Sequence, residues 1–251
     1  MRLANKVAIV TGGSRGIGRA LSLAFAREGA SVVVASRNKQ NCDEVVNKIL
    51  KENGEAISIQ ADVASEADVI KMVEQTKDKY QHIDILANNA AVNLPYRTVT
   101  ELTLAEWNWI IGVNLTGTFL CCREVLPQMI EQRSGKIINF SSLGGRIGAA
   151  GRTPYRSSKA AIINFNNCLA AEVKKFGIDV NTICPGSVET DMLFEITGGE
   201  MPKHAMPPED IAKVAVFLAS DESIAITGTA IDAFGYGHPA FGVPPSVRPP
   251  K

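Results

Sequence analysis

Four apolar residues run directly into a glycine-rich loop, and the loop runs directly into a helix. Val7-Ala8-Ile9-Val10 precedes Thr11-Gly12-Gly13-Ser14-Arg15-Gly16-Ile17-Gly18, and an amphipathic stretch follows over about residues 19–28. A short run that is apolar throughout is expected of a strand buried on both faces. Glycines at its end allow a tight turn and close approach of backbone to a ligand. The next helix offers unpaired N–H groups and the positive end of its dipole, which suits a phosphate. The spacing is G-x-x-x-G-x-G, which differs from the G-x-G-x-x-G of many dinucleotide-binding loops.

Strand and helix then alternate. Apolar strands are expected at about residues 31–37, 56–60, 83–87, 135–140, 179–183 and 226–232, and helices at about 40–53, 66–80, 104–132, 154–176 and 208–219. This order predicts the α/β class: a Rossmann fold with a doubly wound parallel sheet of about seven strands, three α/β/α layers and right-handed crossovers. A chain of 251 residues suits one domain. Residues 1–237 are expected to form it, and the tail 238–251, with Pro239, Pro244, Pro245, Pro249 and Pro250, to be irregular or extended. Asn114 lies inside the long helical stretch, where its side chain competes for backbone partners.

Composition narrows the function classes. The formal net charge is zero and the pI is near 6.8, so there is no general electrostatic case for nucleic acid or an anionic membrane. The first apolar run is too short for a signal peptide's core or a membrane span. Five cysteines, with no CxxC, argue against a disulfide framework, and adjacent Cys121 and Cys122 read as buried thiols. His82, His204 and His238 form no metal-ligand pattern. A cytoplasmic protein without a metal is expected.

The strand ends carry the functional signal, because ligands of open parallel sheets bind there. Strand two ends at Ser36-Arg37, with no carboxylate until Asp43. An acidic residue there serves the ribose hydroxyls of NAD, whereas arginine accommodates a 2′-phosphate. Arg37 together with Arg15 therefore predicts NADP(H) in preference to NAD(H). Tyr155 and Lys159 stand four apart on one helical face, after a Pro154 suited to the first turn. An ammonium beside a phenol favours the phenolate. A phenol titrates near pH ~10, and lowering it by about 3 units takes roughly 4 kcal/mol. Asp62-Val63, Asn89-Ala90, Ser142 and the stretch 185–190 also follow expected strands, so distant residues face one crevice.

With TGGSRGIG from Thr11, NNAA from Asn88, Asn114, Ser142 thirteen residues before Tyr155, YRSSK from Tyr155 and PGSVET from Pro185, the chain resembles the short-chain dehydrogenase/reductase family over about residues 3–232. The resemblance implies an NADP(H)-dependent carbonyl reductase or alcohol dehydrogenase. Tyr155 would be the general acid or base, and Lys159 would lower its pKa and hold the nicotinamide ribose. Ser142, rather than Ser141, would bond the substrate oxygen, and Asn114 would hold a water linking Lys159 to solvent. Gly12, Ser14, Arg15, Gly16, Ile17, Gly18, Ser36, Arg37, Asn89 and Ala90 would hold the dinucleotide. Asp62 and Val63 would face its adenine, and Pro185, Gly186, Val188 and Thr190 its nicotinamide end. A 3-oxoacyl-acyl-carrier-protein reductase is the related alternative, and a non-catalytic NADPH-binding sensor or structural subunit the alternative of another class.

Two further expectations concern shape. The helices at 104–132 and 155–176 are apolar on more than one side, which in this family commonly means a homo-dimer or homo-tetramer. The segment from Thr190 to Pro207 is short for the family's substrate lid, so an open or shallow pocket is expected, one that the proline-rich tail of the same or another subunit could complete.

Overall fold

A computed structural model describes residues 1–235. The expected tail lies outside the described residues. Among them, seven strands form one sheet: β1 (Val7–Thr11), β2 (Ser31–Ser36), β3 (Glu55–Gln60), β4 (Ile85–Asn88), β5 (Gly135–Phe140), β6 (Ile178–Pro185) and β7 (Ala230–Ala233). All neighbours pair parallel in the order β3-β2-β1-β4-β5-β6-β7. The chain winds outward from β1 to β3, then returns to β4 and winds the other way. The crevice of a doubly wound sheet opens at that reversal, between β1 and β4.

Eight α-helices cover the sheet within the described residues: α1 (Gly16–Arg27), α2 (Lys39–Lys51), α3 (Glu66–Tyr80), α4 (Leu104–Ile111), α5 (Gly117–Gln132), α6 (Thr153–Val173), α7 (Asp191–Ile196) and α8 (Pro208–Ala219). Alternate strand residues point to opposite faces. Ala8, Val10, Val32 and Val34 pack with Leu21 and Phe25 of α1, Ile49 of α2 and Val216 of α8. Ile9 and Val33 pack on the other side with Met72 of α3, Val125 of α5 and Leu169 of α6. Strands buried on both faces are why the sequence reads as uniformly apolar runs there. Asn38 and Ser65 cap α2 and α3 by accepting bonds from Asn41 N (3.0 Å) and Asp68 N (3.3 Å).

Two expected elements take a different form. Residues 104–132 are helical throughout, but a π-helical turn, Gly112–Thr116, separates α4 from α5 and carries Asn114. The last strand is Ala230–Ala233 rather than 226–232. Asn181 bonds Ile226 O (2.8 Å) and Thr229 N (3.3 Å), and Thr227 Oγ1 accepts Val180 N (3.1 Å), so side chains hold residues 226–229 in a turn. The stretch Leu104–Gln132 is long and apolar enough to cross a membrane. Half of its most apolar window is buried in this fold, as befits a core helix.

Candidate active site

A cleft of about 580 Å³ lies along the carboxyl ends of the strands. Backbone builds its β1 side. Gly12 has φ +62°, and a Cβ there would lie 2.9 Å from Ala90 Cα. At Gly18 a Cβ would lie 2.0 Å from Gly12 O, an overlap that only glycine avoids. No side chain caps the start of α1, so its first amides are left for a ligand. Asn89 stitches the β4 end to this loop: Nδ2 donates to Thr11 O (3.0 Å) and Gly12 O (3.2 Å). Thr11 Oγ1 accepts from Asn89 N (3.1 Å) and Ala90 N (3.2 Å).

Ser14, Gly16 and Ile17 line the cleft beside Gly12. Arg15, Ser36 and Arg37 line its outer end, Arg37 exposed. Asp62 and Val63 form the adjoining wall, where Asp62 Oδ1 accepts Ala64 N (3.0 Å). A Cβ at Gly117 would lie 2.8 Å from Val63 Cγ2, so the start of α5 seats that valine.

Side chains build the other end. After β5, Ser141 Oγ is buried and donates to Lys159 O (2.7 Å). Ser142 instead faces the cleft beside Tyr155 and accepts from Gly144 N (3.0 Å). The α6 helix begins at Thr153 with Pro154 in its first turn, which places Tyr155 and Lys159 one turn apart on the cleft wall. Lys159 Nζ is buried, donates to Phe140 O (2.7 Å) and lies 5.7 Å from the centre of the Tyr155 ring. Burial holds the Lys159 ammonium down, to about 8. Burial also raises the Tyr155 phenol, opposed by Ser142 and by the charges of Arg156 and Arg152. Among the chain's own groups desolvation is the largest cause and outweighs these two charges; the lowering expected of Lys159 is for a site that also holds a cationic cofactor.

Asn114 sits behind this wall, fully buried. Its Oδ1 accepts Val92 N (2.8 Å), and Nδ2 donates to Val92 O (3.0 Å) and Ser158 Oγ (3.1 Å). Ser158 donates in turn to Tyr155 O (2.7 Å). The asparagine thus ties the cleft floor at Val92 to the backbone of Tyr155. Both its N–H groups are taken by protein acceptors, and a π-turn is where a helix tolerates such a side chain.

Pro185, Gly186, Val188 and Thr190 line the wall after β6, and Thr190 Oγ1 caps α7 by accepting Leu193 N (3.2 Å). The short segment after Thr190 does not leave the site bare. It folds as α7, and Met192, Leu193 and Ile196 line the cleft. Arg152 holds α7 in place: one guanidinium nitrogen donates to Leu94 O and the other to Ile196 O (2.8 Å). Of the residues expected at the site, all line this cleft except Gly18 and Asn114, which lie just behind its wall. Sequence reasoning missed Asn38, Asn41, Arg152, Arg156 and the α7 residues. The arginines were visible as a positive excess around Tyr155, whereas nothing local marked the inward face of α7.

The sequence profile of a family described as short chain dehydrogenase matches residues 6–200. The chain belongs to this family. A 3-oxoacyl-[acyl-carrier-protein] reductase of Synechocystis is 39% identical over 241 residues, spanning 93% of this chain and 97% of that one. An uncharacterised oxidoreductase of Bacillus subtilis is also 39% identical, spanning 93% and 91%. The crystal structure of levodione reductase superposes with a TM-score of 0.87 at 28% identity, covering 92% of this chain and 96% of that one. As a short chain dehydrogenase, the protein is an oxidoreductase with a Rossmann fold.

Proposed function

We propose that this enzyme transfers a hydride between NADP(H) and a ketone or secondary alcohol, with Tyr155 moving the proton. The carrying observation is the cleft itself: Tyr155, Ser142 and Lys159 at one end, a side-chain-free glycine cradle and two arginines at the other. The cradle at Gly12 and Gly18 suits a pyrophosphate against the α1 amides. Arg15 and Arg37 would hold the 2′-phosphate, Asp62 and Val63 the adenine, and Pro185, Gly186, Val188 and Thr190 the nicotinamide end. When bound, the nicotinamide supplies or accepts the hydride.

The chain's own residues would manage the oxygen and its proton. Ser142 Oγ donates to the carbonyl oxygen as charge develops on it. Tyr155 Oη delivers the proton, and a phenol raised by burial keeps that proton at neutral pH, which favours reduction. Lys159 Nζ stands one helical turn away, placed to hold the ribose hydroxyls. Phenylalanine at position 155 is expected to cut kcat by about 10³-fold or more while the NADPH Kd changes less than about threefold. Turnover near the wild-type rate would sink the assignment.

The Synechocystis relative and a Thermotoga maritima reductase of the same name, 37% identical, favour a second reading, reduction of 3-oxoacyl chains on acyl carrier protein. Comparing a carrier-bound 3-oxoacyl thioester with simple ketones separates the two. We also assign the enzyme to the cytoplasm as a homo-dimer or homo-tetramer, because Leu104, Trp109 and Phe119 leave an apolar face on α4 and α5 exposed. Residues 1–237 are taken as the one domain, with 238–251 appended.

A further inference from the structure

Arg146 and Arg152 stand on the segment that leads into α6 and Arg156 in its first turn, and the three are held differently. Arg146 Nε meets the Asp232 carboxylate at 2.8 Å, so its charge is neutralised. Arg152 is fixed by two carbonyls, Leu94 O and Ile196 O, and Arg156 by one, Ile147 O. Carbonyls orient a guanidinium without cancelling its charge. Among the described residues neither Arg152 nor Arg156 forms an ion pair, although both line the cleft. Burial and the like charge of Arg156 push the Arg152 guanidinium below its ordinary value. Two uncompensated cations are thus held together at the Tyr155 end.

The dinucleotide does not account for them. In that reading its pyrophosphate would face the glycine loop, and Arg15 and Arg37 at the far end would meet a further phosphate. The carboxylates lining the cleft are Asp62, at the adenine wall and accepting Ala64 N, and Asp191, exposed at the start of α7. Neither pairs with the two arginines. Gly144 leaves room for the arrangement: a Cβ there would lie 3.1 Å from Arg156 Cγ and 3.5 Å from Tyr155 Cε1. Arg156 and the phenol ring therefore pack side by side against one loop. A guanidinium placed by neutral acceptors keeps its remaining N–H donors for a planar anion, which it binds in bidentate fashion.

We propose that Arg152 and Arg156 form a carboxylate-recognition site beside Tyr155, and that the substrate is a small oxo acid whose carboxylate they hold while its carbonyl faces Tyr155 and Ser142. The proposal rests on the reading of Tyr155 as the proton donor. It separates this enzyme from a reductase of neutral ketones or acyl thioesters, in which no charge lies so near the reacting carbonyl.

The test is kinetic and uses matched pairs: 2-, 3- and 4-oxo acids of four to eight carbons against their methyl esters and N-acetylcysteamine thioesters, with NADPH. At least one acid should exceed its ester in kcat/KM by about tenfold or more, with a KM that rises with ionic strength. Arg156→Gln, which leaves the α7 tether intact, should lower that acid-to-ester ratio about fivefold or more, mainly through the KM of the acid; its effect on the Tyr155 phenol acts on acid and ester alike and cancels in the ratio. In Arg152→Gln any loosening of α7 lowers acid and ester together, so the ratio still isolates the charge. Esters or thioesters turned over as well as every acid, or a ratio unchanged in both variants, would overturn the proposal and leave the hydride-transfer reading standing. If no carbonyl compound is turned over, that reading fails. Calorimetric binding of the matching hydroxy acids then decides the anion site: binding lost in Arg156→Gln supports it, and no binding to wild type overturns it.

Discussion

At the Gly12–Gly18 end of the cleft the wall is backbone, and at the Tyr155 end it is side chain. The first end works by what it lacks, since any Cβ at Gly18 would strike Gly12 O. The second works by what is gathered in it: a buried ammonium and carboxamide, with a phenol and two uncompensated guanidinium groups half-buried beside them. A backbone site tolerates no added atom but carries little electrostatic strain. A side-chain site tolerates repacking, yet pays desolvation for each charge it hides.

The contrast can be broken at the glycine end first. Gly18→Ala is expected to weaken NADPH binding about 100-fold or more and to lower Tm, because the new methyl must displace Gly12 or Asn89. Wild-type fluorescence titration and Tm together would refute the steric reading. At the other end, Asn114→Ala removes three buried hydrogen bonds and leaves Val92 N–H without its acceptor. A loss of about 3 kcal/mol in urea unfolding is expected, with kcat falling more than NADPH affinity. Equal loss of both would mean that the clamp serves the whole cleft and not the Tyr155 end.

Arg37→Asp sharpens the comparison at the outer rim. Two hydrogen bonds to a phosphate, discounted for exposure, leave roughly 3 kcal/mol, or about a hundredfold preference for NADPH over NADH. The variant should lose most of that ratio, measured as kcat/KM with one ketone, and an unchanged ratio would remove Arg37 from the cofactor site.

Lys159→Met gives the smallest effect and the most pointed. Folding lowers the lysine from 10.5 to about 8. Between those values the unfolded chain holds a proton that the folded chain has released, so wild-type stability rises with pH across that window. Below pH 8 the buried charge costs about 3 kcal/mol, offset in part by the bond to Phe140 O. The methionine variant, measured without dinucleotide, should therefore be more stable by about 2 kcal/mol at pH 7. Its advantage should shrink toward pH 10.5. A variant less stable at pH 7, or an advantage that ignores pH, would show that Lys159 is not strained.

How much of this was legible follows from the same division. The glycine loop, the alternating elements and the four-residue spacing of Tyr155 and Lys159 are local patterns, and the expected fold and the gathering of those residues in one cleft agree with the structure. The π-turn at Asn114 was not legible, because it depends on Val92 and Ser158, which reach it from other parts of the chain. The turn at 226–229 was missed for a like reason, since Asn181 of a neighbouring strand imposes it.

The sequence by itself determined the order of strands and helices, and so the edge of the sheet where a ligand can bind. It also determined which backbone positions there carry no side chain, because period, glycine and helix spacing act over a few residues. Only the tertiary structure decided the charge balance of the site. It showed that burial lifts Tyr155 against the charges of Arg152 and Arg156, that α7 lines the wall, and that Arg146 finds a carboxylate while Arg152 and Arg156 find carbonyls. Desolvation and pairing depend on what surrounds a group in space, and residues far apart in the chain supply those surroundings.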